Sequence, residues 1–247
     1  FCYRTTPQKR AKSPEKLDAE LAELKSKHDI DFVFFVDLTF TSHKKQTLDI
    51  LDVIKKHDIR WTCLTRCSDV DQERAEAMAD AGCDIALYGV ESLGTQVLKE
   101  ARKGSTENLT IRAQRMSEDA GFRFGGLTIV GLQNETEESL DHMCQWAEQN
   151  NHITRVKYLS LMPGTTVYND GVRNGQIKSE IDHLNWLSIE QALHEDEFIN
   201  VNGLPERVMR DAYKRIYDAY QPGPVMDFKH YPEHFQYHHG NAEDGQE

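Results

Sequence analysis

The chain has 247 residues, 28% of them charged, and a formal net charge of −12. That length suits one large α/β domain with a modest C-terminal appendage. The charge argues against broad nucleic-acid binding, and no apolar stretch approaches the roughly 18 residues of a membrane span. A soluble, cytoplasmic protein without membrane association is therefore expected. No signal-peptide pattern is visible at the N-terminus, which opens at Phe1-Cys2-Tyr3-Arg4 without an initiator Met. The cysteines Cys2, Cys63, Cys67, Cys83 and Cys144 are odd in number and scattered, which speaks against a disulfide framework.

Ser13-Pro14-Glu15 reads as a helix start, and Leu17, Leu21 and Leu24 follow at helical spacing. Phe32 to Val36 is apolar at every position, the pattern of a strand covered on both faces. A helix is predicted from Lys44 to His57 and a strand from Ile59 to Thr65. Asp71 to Ala81 predicts a short helix stopped by Gly82, and Ile85 to Val90 a strand. Thr106 to Ala120 predicts a helix closed by Gly121, followed by a strand over Phe122 to Val130. Thr136 caps a further predicted helix bearing Leu140, Met143 and Trp146, and Ile153 to Leu161 is the last predicted strand. This βαβα cadence implies a parallel sheet with right-handed crossovers. Open doubly wound sheets and barrels share it. Residues 165–200 read as irregular, Pro205 starts one more helix, and the tail from Met226 carries His230, His234, His238 and His239. A loosely packed terminus explains that tail better than a metal site.

Each strand ends in a polar or glycine-rich corner, where parallel winding would gather a site. Asp37-Leu38-Thr39 and Arg66 bring charge to the rim, and Arg66 suits bidentate binding of a carboxylate or an ion pair with Asp69 or Asp71. Gly89-Val90-Glu91-Ser92 offers a carboxylate able to accept both hydroxyls of a ribose, or an ordinary helix-capping region. Gly131 permits close backbone approach to a ligand, with Glu135 fixing the turn; a tight strand-to-helix turn would use the same residues. Cys63 and Cys67 are spaced C-x3-C, but Cys63 lies within a strand and reads as a small buried hydrophobe.

In this order and at these separations the corners resemble the radical S-adenosylmethionine superfamily. The likeness is strongest to the branch of cobalamin-dependent methylases and methylthiotransferase-like enzymes. Phe1-Cys2 resembles the end of its C-x3-C-x-aromatic-C cluster motif, and Phe34 to Phe40 its second-strand corner. Arg60 to Arg66, and Ala81-Gly82-Cys83 through Ser92, resemble the third and fourth units. Gly126 to Thr136 resembles the fifth-strand glycine motif, and Leu161-Met162-Pro163-Gly164-Thr165 the sixth-strand ending.

The resemblance implies an α/β fold, a partial (β/α)6 TIM-like barrel whose first strand lies upstream of Phe1. Residues 1–170 would form the barrel, 171–225 a mostly helical C-terminal extension and 226–247 a flexible tail. Cys2 would be one of three thiolates on a [4Fe-4S] cluster whose open iron chelates S-adenosylmethionine. Asp37 and Thr39 would lie near the methionine amino group, and Arg66 and Ser92 would bind its carboxylate. Glu91 would hold the ribose, while Ile129, the Gly131 turn and the backbone near Met162 would flank the adenine. One electron, from a reductant such as ferredoxin or flavodoxin, would then release a 5′-deoxyadenosyl radical that abstracts hydrogen. Cobalamin would come through an upstream domain, and the substrate, a small molecule or peptide, would meet residues after Pro163.

The family's first two cluster cysteines are absent, so the chain reads as an N-terminal truncation, inactive alone. Leu38 stands in place of a usual aspartate, and Gln133-Asn134 in place of Pro-Gly. Two other classes are weighed: a non-catalytic barrel acting as a binding module, and a barrel enzyme on a phosphorylated metabolite. The latter needs a phosphate-binding glycine turn, and none follows Leu161.

Overall fold

A computed structural model describes residues 11–150, 153–190 and 197–219. Five parallel strands form one sheet: β1 (Phe32–Phe35), β2 (Arg60–Thr65), β3 (Cys83–Glu91), β4 (Arg123–Val130) and β5 (Ile153–Tyr158). Their spatial order is their chain order, β1-β2-β3-β4-β5, and every neighbouring pair is parallel. A doubly wound sheet reverses direction at a switch point; this one never does. The sheet is therefore a barrel segment, and the strand ends share one rim.

The helices pack on one face of the sheet. They are α1 (Pro14–His28), α2 (Lys44–Lys56), α3 (Gln72–Asp80), α4 (Thr95–Glu100), α5 (Glu107–Ala120) and α6 (Glu137–Gln149). Trp61, Cys63, Tyr88, Phe124, Val156 and Tyr158 point from the strands into this layer, where Leu51, Ile54 and Met78 meet them. Burying each such aliphatic side chain stabilises the fold by about 1.5–3 kcal/mol. By alternation and register, Phe34, Thr62, Leu87, Leu127, Ile129 and Lys157 occupy the opposite face, the lumen of the partial barrel.

Helix ends follow local chemistry. Ser13 accepts from Lys16 N and Pro14 opens α1; Thr106 accepts from Leu109 N at the start of α5. Thr136 and Ser139 exchange side-chain and backbone hydrogen bonds of 3.1 and 2.9 Å, a capping box for α6. Gly82 must be glycine on two counts: φ is +85°, and a Cβ would sit 2.8 Å from Ile59 O.

Two expectations change. Phe32 to Val36 does not form a strand covered on both faces. β1 ends at Phe35 and is the sheet edge among the described residues, leaving Phe34 and Val36 exposed (36% and 71%). Its apolar run cannot distinguish burial on two faces from an edge beside an open lumen. Residues 165–200 are not irregular throughout: α7 (Thr166–Arg173), α8 (Glu180–Asn185) and a π-helical turn (Trp186–Glu190) lie there. Thr165 and Ser179 cap the two helices, and Tyr168 buries itself between Leu161 and Ile177. Their interior Asn, Asp and Gly are weak helix formers, so packing rather than propensity sustains them. The six-residue α4 is too short to leave a periodic signal. The histidine tail lies outside the described residues.

The last described helix, α9 (Glu206–Ala219), joins the outer layer beside α6 and β5. Met209, Ala212 and Ile216 enter the main core, and Tyr158 stacks on Phe198 and Tyr213 at 4.3 and 4.5 Å. Arg215 spans to α6, reaching Asp141 at 2.8 Å and Glu148 at 2.7 Å. We expect Ile216→Ala, at a fully buried site, to cost about 2–4 kcal/mol. A urea titration should show that loss within a single transition; a separate early transition confined to α9 would mean it is not part of the barrel core.

Candidate functional site

Topology brings the sequence-singled corners to the carboxyl ends of successive strands, which lie about 4.8 Å apart. Asp37 follows β1, Arg66 follows β2, Glu91 ends β3, Gly131 follows β4 and Met162 lies beyond β5. The first corner is tied down by its backbone: Phe40 N donates to Leu64 O at 2.9 Å, and Arg74 Nη1 to Thr41 O at 2.8 Å. The Thr41 and Thr65 hydroxyls also pair. On that base Asp37 is exposed with no side-chain partner among the described residues, and its charge adds to the burial that pushes up the Cys63 thiol. Thr39 Oγ1 donates to Leu38 O at 2.6 Å, and Leu38 is 88% exposed, so it fills no structural gap left by an aspartate.

Arg66 is also exposed, and no side-chain partner is found among the described residues. The rival ion pairs are not made. Asp71 caps α3 through Arg74 N (3.0 Å) and binds Lys44 at 2.9 Å, while Asp69 accepts from Ser68 at 2.8 Å. A guanidinium and a carboxylate thus stand uncommitted at the ends of adjacent strands.

Glu91 is held differently. The register of β3 on β4 shifts between Gly89 and Glu91, and Glu91 takes φ +63°, a conformation costing an L-residue about 1–3 kcal/mol. Such bulges re-aim side chains beside sites. Glu91 Oε1 accepts from Lys103 Nζ at 2.6 Å, with both side chains only 12% exposed. Lys103 is a residue the sequence reading missed. It is delivered by a loop in which Arg102 (φ +52°) and Gly104 (φ +67°) are left-handed; its only sequence signal is the Lys-Gly pair after a short helix. Ser92 is buried in the same corner, where its Oγ accepts from Gly94 N at 3.1 Å. It shapes the turn rather than standing open on the rim.

Gly131 (φ +97°) and Leu132 donate their N–H groups to Glu135 Oε2 at 2.7 and 3.1 Å. Burial pushes the Glu135 carboxyl up to about 8, against the opposing pull of those two backbone donors. Asn134 takes a left-handed conformation (φ +64°), which asparagine tolerates better than most residues. Ile129 lies half-buried on the lumen face beside Lys157. The Met162 side chain is 51% exposed, while its carbonyl accepts from Thr165 N and Oγ1. Buried His183, also absent from the sequence reading, bonds Leu161 O at 2.8 Å and ties α8 to this corner.

The described residues do not fit an iron–sulfur cluster. No group of three His, Cys, Asp or Glu among them is arranged to hold a metal ion. Cys63, Cys67, Cys83 and Cys144 are buried, and burial raises all four thiols, Cys67 and Cys144 to about 11. A cluster needs thiolates. Cys2 lies outside the described residues. The rim does fit S-adenosylmethionine, whose amino-acid end needs one anion and one cation and whose ribose needs an acceptor.

The sequence profile of the Radical SAM superfamily matches residues 1–147. The chain belongs to that superfamily. It is 28% identical over 180 residues to an uncharacterized methyltransferase of Pyrococcus horikoshii, covering 72% of this chain and 38% of that protein. It is 25% identical over 195 residues to a bacteriochlorophyllide d C-8(2)-methyltransferase of Chlorobaculum tepidum, covering 73% and 43%. The chain therefore spans less than half the length of these two relatives. In fold it is similar to TsrM, a radical S-adenosylmethionine methyltransferase of Kitasatospora setae solved with cobalamin and a [4Fe-4S] cluster. The TM-score is 0.54 at 18% identity, over 59% of this chain and 30% of that one. Among the described residues no helix is long and apolar enough to cross a membrane.

The Glu135 turn makes a pH prediction. A carboxyl raised from 4.5 to about 8 on folding binds more protons in the native state between those values. Its contribution is fully present below pH 4.5 and is lost as pH rises through about 8. Unfolding titrations at pH 6 and pH 9 should differ, on the order of 2 kcal/mol, with the lower pH favoured. In Glu135→Gln, whose amide oxygen still accepts both N–H groups, that component of the pH dependence should vanish.

Proposed function

We propose that this rim binds S-adenosylmethionine, and that the full protein cleaves it reductively in the service of cobalamin-assisted methyl transfer. The observation that carries the reading is the pair of uncommitted charges, Asp37 and Arg66, on adjacent strand ends beside Glu91. Asp37 accepts from the methionine ammonium, and Arg66 grips the carboxylate through its fork of donors. Glu91 receives the ribose hydroxyls through its remaining oxygen. Ile129 gives the adenine an apolar wall, and the Gly131 turn and the Met162 backbone flank it. Thr39 and Ser92 shape these corners and support the ligand's amino-acid end.

When bound, a [4Fe-4S] cluster supplies the electron that breaks the sulfonium carbon–sulfur bond; we assign Cys2 to its thiolate set. The barrel's own contribution is to orient the sulfonium and to exclude water from the radical's path. The activities named for the relatives, and the cobalamin bound in TsrM, favour methyl transfer over the binding-module and phosphorylated-metabolite readings. A ferredoxin or flavodoxin is the class of reductant such chemistry calls for. The substrate enters the lumen face, past residues beyond Pro163.

The test uses the full-length protein, reconstituted anaerobically with iron and sulfide and given a strong reductant. S-adenosylmethionine should yield 5′-deoxyadenosine, and Cys2→Ala should abolish it; no product from a fully loaded cluster would refute the cleavage. Arg66→Ala should weaken S-adenosylmethionine binding at least tenfold, about the contribution of a charged, bidentate contact. Adenosine, which lacks the carboxylate, should bind the variant and the parent alike.

A further inference from the structure

Glu91 and Lys103 form a unit with Gly89. The Glu91 side chain folds back across Gly89, so that a Cβ on that glycine would sit 2.7 Å from Glu91 Oε1 and 3.0 Å from Lys103 Nζ. A side chain there would push the two charged ends off this position, since both are the mobile tips of long side chains. The strained backbone at Glu91, the shift in register and the left-handed loop that brings Lys103 back meet at the 2.6 Å bond. The loop is closed by Lys103 N donating to Leu98 O at 3.0 Å. A carboxylate only 12% exposed requires a counter-charge, or it turns away to water. The ammonium engages Oε1, so Oε2 is the oxygen of Glu91 that this bond does not use.

Resting on the reading of Glu91 as the ribose acceptor, we infer that Lys103 is a positioning residue for recognition of the ribose diol. It acts through Glu91 and need not touch the ligand. Gly89 is the third part of the device, because it provides the space in which the pair lies.

Two probes isolate this role: adenosine, and 2′,3′-dideoxyadenosine, which lacks the diol. Neither carries a sulfonium or a carboxylate, so binding to the full-length protein can be titrated by calorimetry without turnover. The parent should favour adenosine about tenfold, the contribution of hydrogen bonds to a charged acceptor. Lys103→Met should cut that preference to about twofold while leaving dideoxyadenosine affinity unchanged, which also shows that the variant is folded. Lys103→Arg should largely restore it, and Gly89→Ala should reproduce the loss by displacing the pair. Glu91→Gln combined with Lys103→Met should be no worse than either alone.

If Lys103→Met keeps the tenfold preference but weakens methionine binding, Lys103 is a direct carboxylate ligand and the inference fails while the site stands. Equal loss of both nucleosides would make its role merely structural and also overturn it. If the parent binds neither probe or shows no preference, or Glu91→Gln leaves the preference intact, the ribose reading of Glu91 itself is wrong.

Discussion

A parallel strand cannot be reached from its predecessor by a tight turn; the chain must cross back over the sheet, and it does so with one hand. Here that constraint operates without a reversal, so five strands follow one another in chain order and their carboxyl ends share a rim. Everything else depends on this. Asp37, Arg66, Glu91, Gly131 and Met162 are separated by 125 residues from first to last, yet each sits at the end of a strand beside the next. The helix layer keeps the arrangement in place, because Trp61, Tyr88, Phe124 and Tyr158 anchor four of the strands from behind.

The rim turns satisfy their backbone locally, and this frees their side chains to differ in purpose. Glu135 absorbs two donors of the Gly131 turn, and Gly94 N is met by Ser92, so these polar groups are committed to shape. Asp37 and Arg66 lie on corners already closed by backbone bonds, and their side chains take no partner among the described residues. Glu91 is intermediate: it ends its strand at the rim, yet is buried enough to be paired with Lys103. On the proposed reading, the amino-acid end of S-adenosylmethionine would call on both signs of charge.

Much of this was legible in the residue order. The caps at Ser13, Thr106 and Thr136, and the glycine stops at Gly82 and Gly121, mark helix ends because they satisfy or release local backbone demands. The corner residues were legible for the same reason: charge directly after an apolar run marks where a strand leaves the sheet. Short elements were not. The six-residue helix Thr95–Glu100 carries less than two turns of pattern, and Thr166–Arg173 is stabilised by Tyr168 and Leu161 rather than by propensity.

Local chemistry thus specified the periodic elements, their caps and the identity of the rim charges, since each depends on neighbours within a few residues. It left a barrel segment and a doubly wound sheet equally open, because winding direction is a relation among distant strands. It also could not tell an apolar strand covered on both faces from the exposed edge at Phe34 and Val36. The pairing of Glu91 with Lys103 across the space above Gly89, and the absence of any such partner for Arg66 among the described residues, belong to the same category. Which charges are spent and which remain is set by approach in three dimensions, and spacing along the chain carries no measure of it.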